Sequence, residues 1–151
     1  MASSLVKLNV HIIFHVKSTS VVIRNDDLPD LFQYVGGTIK GLGGIPIEVG
    51  GVGDHIHILA TLPRTMALAD FVRDIKANSS KWVRQADKSY AWFSWQDGYA
   101  AFSVSPSLID KTVSYIRRQE EHHKKRSFED EYRSFLEHYG ISYDERYVFS
   151  D

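Results

Sequence analysis

Residues 50–62 read GGVGDHIHILATL, a glycine-rich turn followed by an apolar run in which two histidines stand one residue apart. The glycines predict a β-hairpin turn, and the apolar run predicts a buried strand. Because side chains alternate along a strand, His55 and His57 share one face while the neighbouring isoleucines point to the other. The two histidines are about 7 Å apart along the strand, so a modest tilt of the rings brings their nitrogens to one ion.

The histidine pair alone leaves two interpretations open. Two hydrogen-bonded histidines on an open sheet face would need no ligand, and two ligands do not make a metal site. A helix predicted to begin at Pro106 carries Tyr115 and Gln119. These two residues are four apart and therefore share a face, with Lys111 one turn earlier. Tyr115 points about 130° away from the apolar stripe of that helix, although an aromatic ring that only covers the helix edge would give the same pattern.

Apolar periodicity on both sides of the hairpin predicts four strands and four helices. Strands are expected over residues 5–17, 45–49, 55–62 and 100–104. Helices are expected over residues 27–42, 67–88 and 128–139, with a further helix that begins at Pro106 behind Ser105 as its N-cap. The order of these elements predicts an α+β fold, a ferredoxin-like antiparallel sheet (split βαβ) with helices on one face and an added C-terminal helical segment carrying the tyrosine. Since no repeat or linker divides the chain, we expect a single domain over residues 1–151.

Composition limits the class of protein. The 151 residues carry a formal charge of -1, with 43% hydrophobic and 25% charged residues, which is typical of a globular chain and not of a disordered, fibrous or membrane protein. No apolar run approaches the roughly 18 residues of a membrane span. Residues 1–6 lack a basic leader and a signal core, and there is no cysteine, so we expect a cytoplasmic protein. Any nucleic-acid role must rest on a local basic surface.

Candidate DNA contacts lie on two elements. The first strand alternates between an apolar face and a face carrying Lys7, His11 and Lys17, which predicts a half-buried strand with a basic face beside the histidine pair. On the second helix, Arg73 and Lys76 could bind phosphates, although a solvated helix face explains the same pattern. The aromatic residues before the last strand could stack on unpaired bases or form a small core of their own: Trp92, Phe93, Trp95 and Tyr99.

The segment after Gln119 reads EEHHKKR over residues 120–126 and mixes charges of both signs. It is typical of a solvated helix end, and a metal role for His122 is the less favoured interpretation. Asp54 is as consistent with a turn residue as with a catalytic one, and the sequence identifies no general base. Residues 141–149 are too apolar to be free, so we expect them to pack on their own domain or on a partner.

Taken in order, these segments resemble a known family. DHIHIL resembles the metal motif, and YIRRQEEHH the nucleophile helix, of the small one-tyrosine transposases of bacterial insertion sequences, members of the histidine-hydrophobic-histidine endonuclease superfamily. The resemblance also covers these segments: GLGGIPIEVGGVGDHIHIL, DFVRDIKANSSKWV, WQDGYAAFSVSPS and KKRSFEDEYRSFLEHYGISYDERYVF. After the first strand, KSTSVVI lacks the arginine-containing turn expected of the family, which bears on a DNA contact and not on the chemistry.

The resemblance implies a role for each candidate residue. His55 and His57 would bind a divalent metal, magnesium or manganese, with Gln119 as a further ligand. Tyr115 would attack a single-stranded DNA phosphodiester and leave a 5′-phosphotyrosine and a free 3′-hydroxyl. A phenol with a pKa near ~10 is protonated at neutral pH, so this attack needs an electrophilic phosphate and a stabilised leaving oxygen, both of which a metal supplies. Two imidazoles and an amide oxygen would also accept cobalt or zinc.

The family further implies a homodimer that acts on DNA hairpins at the ends of an insertion element. In such a dimer the tyrosine helix of one subunit can serve the histidine pair of the other, and the sequence leaves open whether Tyr115 acts in its own subunit or in the partner. Two other functions remain open at this point. A domesticated relative would use the same nuclease chemistry on chromosomal repeats. A noncatalytic ferredoxin-like module would bind single-stranded nucleic acid without metal and without a covalent product. A hydrolytic metalloenzyme is a weaker alternative, because it leaves the tyrosine unused.

Overall fold

The computed structural model describes residues 3–151. Residues 1 and 2 lie outside the described range; they belong to the segment 1–6, which is expected from the sequence to lack a leader. Within that range the chain forms four strands and five α-helices. In order they are β1 (Asn9–His15), α1 (Leu28–Gly41), β2 (Ile45–Val52), β3 (His55–Thr61), α2 (Leu68–Ala86), β4 (Ala100–Ser103), α3 (Ile109–Arg117), α4 (Gln119–Lys125) and α5 (Phe128–His138).

The four strands form one antiparallel sheet in the order β2-β3-β1-β4. This is the ferredoxin-like arrangement, so the predicted α+β fold class is confirmed. The two central strands, β1 and β3, pair along their whole length, with Ile13 opposite His57 and His15 opposite His55. The histidine pair therefore lies in the middle of the sheet.

Helices cover both faces of the sheet. Helices α1 and α2 pack on the face that presents Ile56 and Ile58, where they form the main core. The added C-terminal segment covers the other face through two smaller clusters, one around Ile13 and Tyr132 and one around Leu59 and Ile116. The apolar tail packs against the first of these clusters, as expected, through Tyr143, Val148 and Phe149.

The C-terminal helices correct the prediction for the first strand. The half-buried strand with an exposed basic face is wrong, because β1 is buried on both faces and His11 is only 2% exposed. The strand is also shorter than predicted, since residues 5–8 lie before it and are exposed. Alternation in the sequence indicated two chemically different faces, but it carried no information on whether a later segment would cover the polar one.

Two other boundaries differ from the sequence prediction. Strand β2 continues to Val52, so only Gly53 and Asp54 form the hairpin turn. The long third helix is interrupted at Arg118, whose backbone angles (φ -99°, ψ 22°) separate α3 from α4.

The aromatic residues before the last strand differ in exposure: Phe93 is buried in the main core, while Trp92 is 86% exposed. None of the helices in residues 3–151 is both long and apolar enough to cross a membrane.

Candidate active site

The histidine pair lies between the sheet and the C-terminal helices. His55 and His57 project from β3, are almost fully buried, and have ring centres 5.3 Å apart. Gly50 of β2 pairs with His57. Because Gly50 has no side chain, α3 can pack directly against the backbone of β2 at this point. A Cβ atom at Gly50 would come within 2.7 Å of Ile116 Cγ2 and 2.9 Å of its carbonyl oxygen. This close approach places Tyr115, the neighbour of Ile116, with its ring centre 5.8 Å from that of His57.

Four potential ligand atoms converge beside Tyr115. His55 Nε2 lies 3.2 Å from Gln119 Oε1, and His57 Nε2 lies 3.0 Å from Glu131 Oε1. The ligand atoms of His55, His57 and Glu131 all lie within 4.8 Å of one another. Ligands bound about 2.1 Å from one small cation are about 3.0–3.4 Å apart, so these spacings fit a single metal ion.

Glu131 is the residue that sequence reasoning missed. It is 3% exposed and reaches the site from α5, twelve residues after Gln119. The signal was present, because Glu131 stands at helical spacing between Phe128 and Phe135 on the apolar stripe of α5. A carboxylate at a core position needs a cation or a hydrogen-bond donor, which makes such a residue a candidate ligand.

Asp54 orients the first histidine. Its Oδ1 accepts a hydrogen bond of 2.7 Å from His55 Nδ1, and this bond is the main reason why the pKa of Asp54 lies below its usual value. In the tautomer that carries its only proton on Nδ1, which is the form that can bind a metal, His55 directs the lone pair of Nε2 toward Gln119 Oε1, which is also an acceptor. Two acceptors facing each other across 3.2 Å share no hydrogen, and a cation between them satisfies both.

The electrostatics of the site leave Glu131 ionised and His57 neutral. Burial lowers the pKa of His57 to about 4, although its hydrogen bond to Glu131 opposes this shift. Burial raises the pKa of Glu131, but the bonds and charges around it, with His57 foremost, lower it to about 2. Burial, and then the nearby Glu131 carboxylate, raise the pKa of Tyr115 far above its ordinary value, so its hydroxyl is protonated at neutral pH.

The family follows from a sequence comparison. The model of a family described as IS200-like transposases matches residues 4–119, from before β1 to the first residue of α4. The chain belongs to the IS200-like transposase family. It is therefore an enzyme, a DNA transposase, and the noncatalytic binding module is not supported. This match confirms the resemblance to one-tyrosine transposases.

Solved structures share the fold of this transposase. A candidate transposase from Deinococcus radiodurans R1 has 19% sequence identity and a TM-score of 0.61, over 79% of this chain and 95% of that one. A REP-associated tyrosine transposase bound to a REP hairpin has 13% identity and a TM-score of 0.58, over 82% of this chain and 73% of that one. At these identities the likeness shows the fold alone. A comparison with curated protein sequences gives no match.

Two further histidines of the transposase border the site. His122 lies against Tyr115, with ring centres 4.7 Å apart, and not against the histidine pair. His123 lies closer to that pair, with its ring centre 4.5 Å from that of His55 and its Nε2 3.6 Å from Glu131 Oε2. Within residues 3–151, the Nε2 atoms of both rings are buried without a hydrogen-bond partner. Polar atoms of this kind suit a site that receives a polar ligand.

The residues predicted to contact DNA are spread over the transposase. His11 is buried and bonded to His57, so it does not lie on an open surface. Lys7 is exposed before β1, and Lys17 pairs with Asp97 at 3.4 Å.

On α2, Arg73 forms exposed ion pairs with Asp70 and Asp74 of the same helix. The Lys76 ammonium is half-buried and donates to three backbone carbonyls of the connector before β4, those of Gln96, Asp97 and Gly98. Arg73 and Lys76 are therefore engaged within the protein itself, and none of these contacts reaches the histidine pair.

Proposed function

We propose that this transposase cleaves and rejoins single-stranded DNA at the ends of an insertion element through a 5′-phosphotyrosine on Tyr115. The observation that carries the proposal is the convergence of His55, His57, Gln119 and Glu131 on one buried site beside that tyrosine. A metal-dependent hydrolase would need the ligands but not the tyrosine. The presence of both favours covalent catalysis.

The proposed metal is magnesium or manganese, held by the two histidines together with Gln119, Glu131 or both. The fit rests on the lone pairs of His55 Nε2 and Gln119 Oε1, which face each other, and on the carboxylate of Glu131, an oxygen ligand that these hard cations prefer. When bound, the ion would polarise a non-bridging phosphate oxygen and offset the charge that develops on the leaving 3′ oxygen.

Tyr115 supplies the nucleophile in the cleavage step. Its hydroxyl oxygen forms a bond to phosphorus while the bond from phosphorus to the 3′ oxygen breaks. The downstream fragment stays on the tyrosine through its 5′ phosphate, and the upstream fragment leaves with a 3′-hydroxyl once that oxygen is protonated. The phenol proton must leave in the same step, and we assign its acceptance to the ionised Glu131 carboxylate, whose charge acts on the phenol and raises its pKa.

Strand joining is the reverse reaction with a different 3′-hydroxyl. That hydroxyl attacks the phosphotyrosine, the bond to the Tyr115 oxygen breaks, and the tyrosine recovers a proton. Because the phosphotyrosine preserves the phosphodiester bond energy, no ATP is required. A structural neighbour is bound to a REP hairpin, which supports hairpin-containing single strands as the substrate class. A domesticated relative acting on chromosomal repeats would use the same residues, and only the DNA around its gene would distinguish the two.

Labelled oligonucleotides test this function. The full chain is incubated with Mn²⁺ and single strands taken from the DNA flanking its own gene, labelled at either end, and the products are run on denaturing gels. We expect a covalent adduct that retains the 3′ label and is absent with Tyr115→Phe or with EDTA. Tyr34→Phe is the matched control, because Tyr34 stacks on Trp82 on the opposite face of the sheet. Binding of the same strands without an adduct would overturn the proposal.

We also propose that the protein acts as a homodimer, with each tyrosine serving the histidines of its own subunit. The support for action within one subunit is the 5.8 Å separation of the Tyr115 and His57 rings in a single chain. Light scattering gives the oligomeric state. Mixing Tyr115→Phe with His57→Ala then tests the subunit arrangement, since recovery of the adduct in the mixture would mean that the tyrosine acts on the partner.

A further inference from the structure

His57 has a buried hydrogen-bond partner on the side away from the ligand cluster. His11 of β1 places its Nε2 2.8 Å from His57 Nδ1, and the two rings are 5.0 Å apart. Both side chains are buried, His11 at 2% and His57 at 0% exposure. Ile13 is the strand partner of His57, and His11 lies two residues before Ile13 on β1. The side chains of His11 and His57 therefore project from the same face of neighbouring strands, which brings them together.

The positions of the protons in this pair follow from its neighbours. Glu131 is an ionised acceptor at 3.0 Å, so His57 donates from Nε2 and keeps a lone pair on Nδ1. His11 must then donate from its own Nε2 to that lone pair. In this arrangement the ligand atom of His57 carries a hydrogen and cannot bind a metal.

We propose that His11 is a positioning residue for the metal site, which allows His57 to move its proton from Nε2 to Nδ1 when a metal binds. The inference rests on the proposed metal site. The proton on His11 Nε2 passes to His57 Nδ1, the proton displaced from His57 Nε2 leaves to solvent, and His11 takes one from solvent on Nδ1. His57 then donates from Nδ1 to His11 Nε2. Each ring keeps one proton, so only the tautomers change. A metal-binding histidine in proteins donates its other ring N–H to an acceptor, and His11 supplies that acceptor here.

The surroundings of His11 suit this role. Its ring is held by edge contacts with Phe102 and Phe135, at 6.4 and 5.2 Å between ring centres, so it keeps its place whichever nitrogen carries the proton. His11 also lines a cavity of about 270 Å³ beside Lys111 and Tyr115, which is large enough to hold water near the ring. A neutral imidazole is the acceptor for His57, whereas a carboxylate, Asp54, is the acceptor for His55.

Metal affinity and NMR test the proposal on the full chain. Isothermal titration with Mn²⁺ is compared for the wild type, His11→Met, which fills the space without a nitrogen, and His11→Gln, which restores an amide oxygen as acceptor. We expect His11→Met to bind Mn²⁺ about 10- to 100-fold more weakly and His11→Gln to recover most of the affinity. His15→Gln is the matched control, because His15 lies on the same strand and is bonded to the Val16 carbonyl instead of a ligand.

Long-range nitrogen–proton spectra of His57 in the wild type give a readout that does not depend on how a variant folds. We expect the proton on Nε2 without metal and on Nδ1 with Zn²⁺. Equal Mn²⁺ affinity of His11→Met and wild type, or a proton already on Nδ1 without metal, would overturn the inference. If the wild type binds no divalent metal at all, the proposed metal site itself fails, which is a different result.

Discussion

At the scale of single residues, Glu131 links the histidine pair to the tyrosine. It is a buried carboxylate that bonds to His57 and raises the pKa of Tyr115. We predict that Glu131→Gln weakens Mn²⁺ binding at least about tenfold, because a charged ligand is replaced by a neutral one. The same change should lower the pKa of the Tyr115 phenol in the metal-free protein, as measured by ultraviolet titration.

Glu129→Gln is the control for this prediction, because it removes the same charge from an exposed position on the same helix. Unchanged metal affinity in Glu131→Gln would show that the carboxylate is not a ligand and would leave Gln119 as the oxygen donor.

The buried histidines also predict how stability depends on pH. The pKa of His57 is about 4 in the folded protein and 6.5 in an unconstrained chain, so the unfolded state binds more protons between these values. Stability must then fall as the pH falls from 6.5 to 4, by at most about 3 kcal/mol for His57. His11 acts with the same sign, because burial also lowers its pKa.

Glu131 extends this loss to lower pH, because its pKa falls from 4.5 to about 2 on folding. Urea unfolding in EDTA at a series of pH values measures the effect, and His57→Gln should flatten the curve between pH 6.5 and 4. A wild-type stability that stays constant from pH 6.5 to 5 would contradict the neutral, buried state of these histidines.

At the scale of elements, the packing of α3 on β2 depends on Gly50. A Cβ atom there would collide with the backbone and side chain of Ile116, so Gly50→Ala must push α3 outward. We predict a loss of about 1–3 kcal/mol in the free energy of unfolding, together with a lower cleavage rate because Tyr115 moves with the helix. Denaturant unfolding and the adduct assay measure the two effects.

Gly37→Ala provides the contrast. It lies inside α1, and a Cβ atom there would have nothing within 4 Å, so the change should stabilise the helix by about 0.5–1 kcal/mol and leave cleavage unchanged. Equal behaviour of the two variants would mean that α3 does not depend on close contact at Gly50.

The elements also show where sequence patterns were informative. The order of strands and helices and the alternation that puts His55 and His57 on one face were readable, because each depends on local periodicity. The sequence did not predict the helix break at Arg118 or the burial of His11 under the C-terminal helices. Both depend on how α3, α4 and α5 pack against a sheet whose strands come earlier in the chain. Glu131 lies between the two kinds, because its place on the apolar stripe of α5 was readable from the spacing, whereas its role depends on which strand α5 meets.

At the scale of the whole molecule, α5 joins the sheet through a small cluster that includes Leu136, Tyr132 and Phe102. We propose that residues 1–151 unfold as one domain. Leu136→Ala should then cost about 2–4 kcal/mol, because Leu136 is 6% exposed, and should shift a single transition seen by all probes.

Near- and far-ultraviolet circular dichroism and hydrogen exchange in α5 measure this directly. An early transition confined to α5 would mean that the segment carrying Glu131 folds separately from the sheet that carries the histidines. The metal affinity would then vary with the stability of α5 alone.

The most direct test of the proposed chemistry is to locate the DNA on the protein. After reaction with Mn²⁺ and a single-stranded substrate, nuclease and trypsin digestion should leave a short nucleotide on the peptide of residues 112–117, TVSYIR, whose only tyrosine is Tyr115. Tandem mass spectrometry that places the nucleotide on Tyr115 would establish the nucleophile. A nucleotide on any other residue, or DNA cleavage with no modified peptide, would contradict covalent catalysis by this tyrosine.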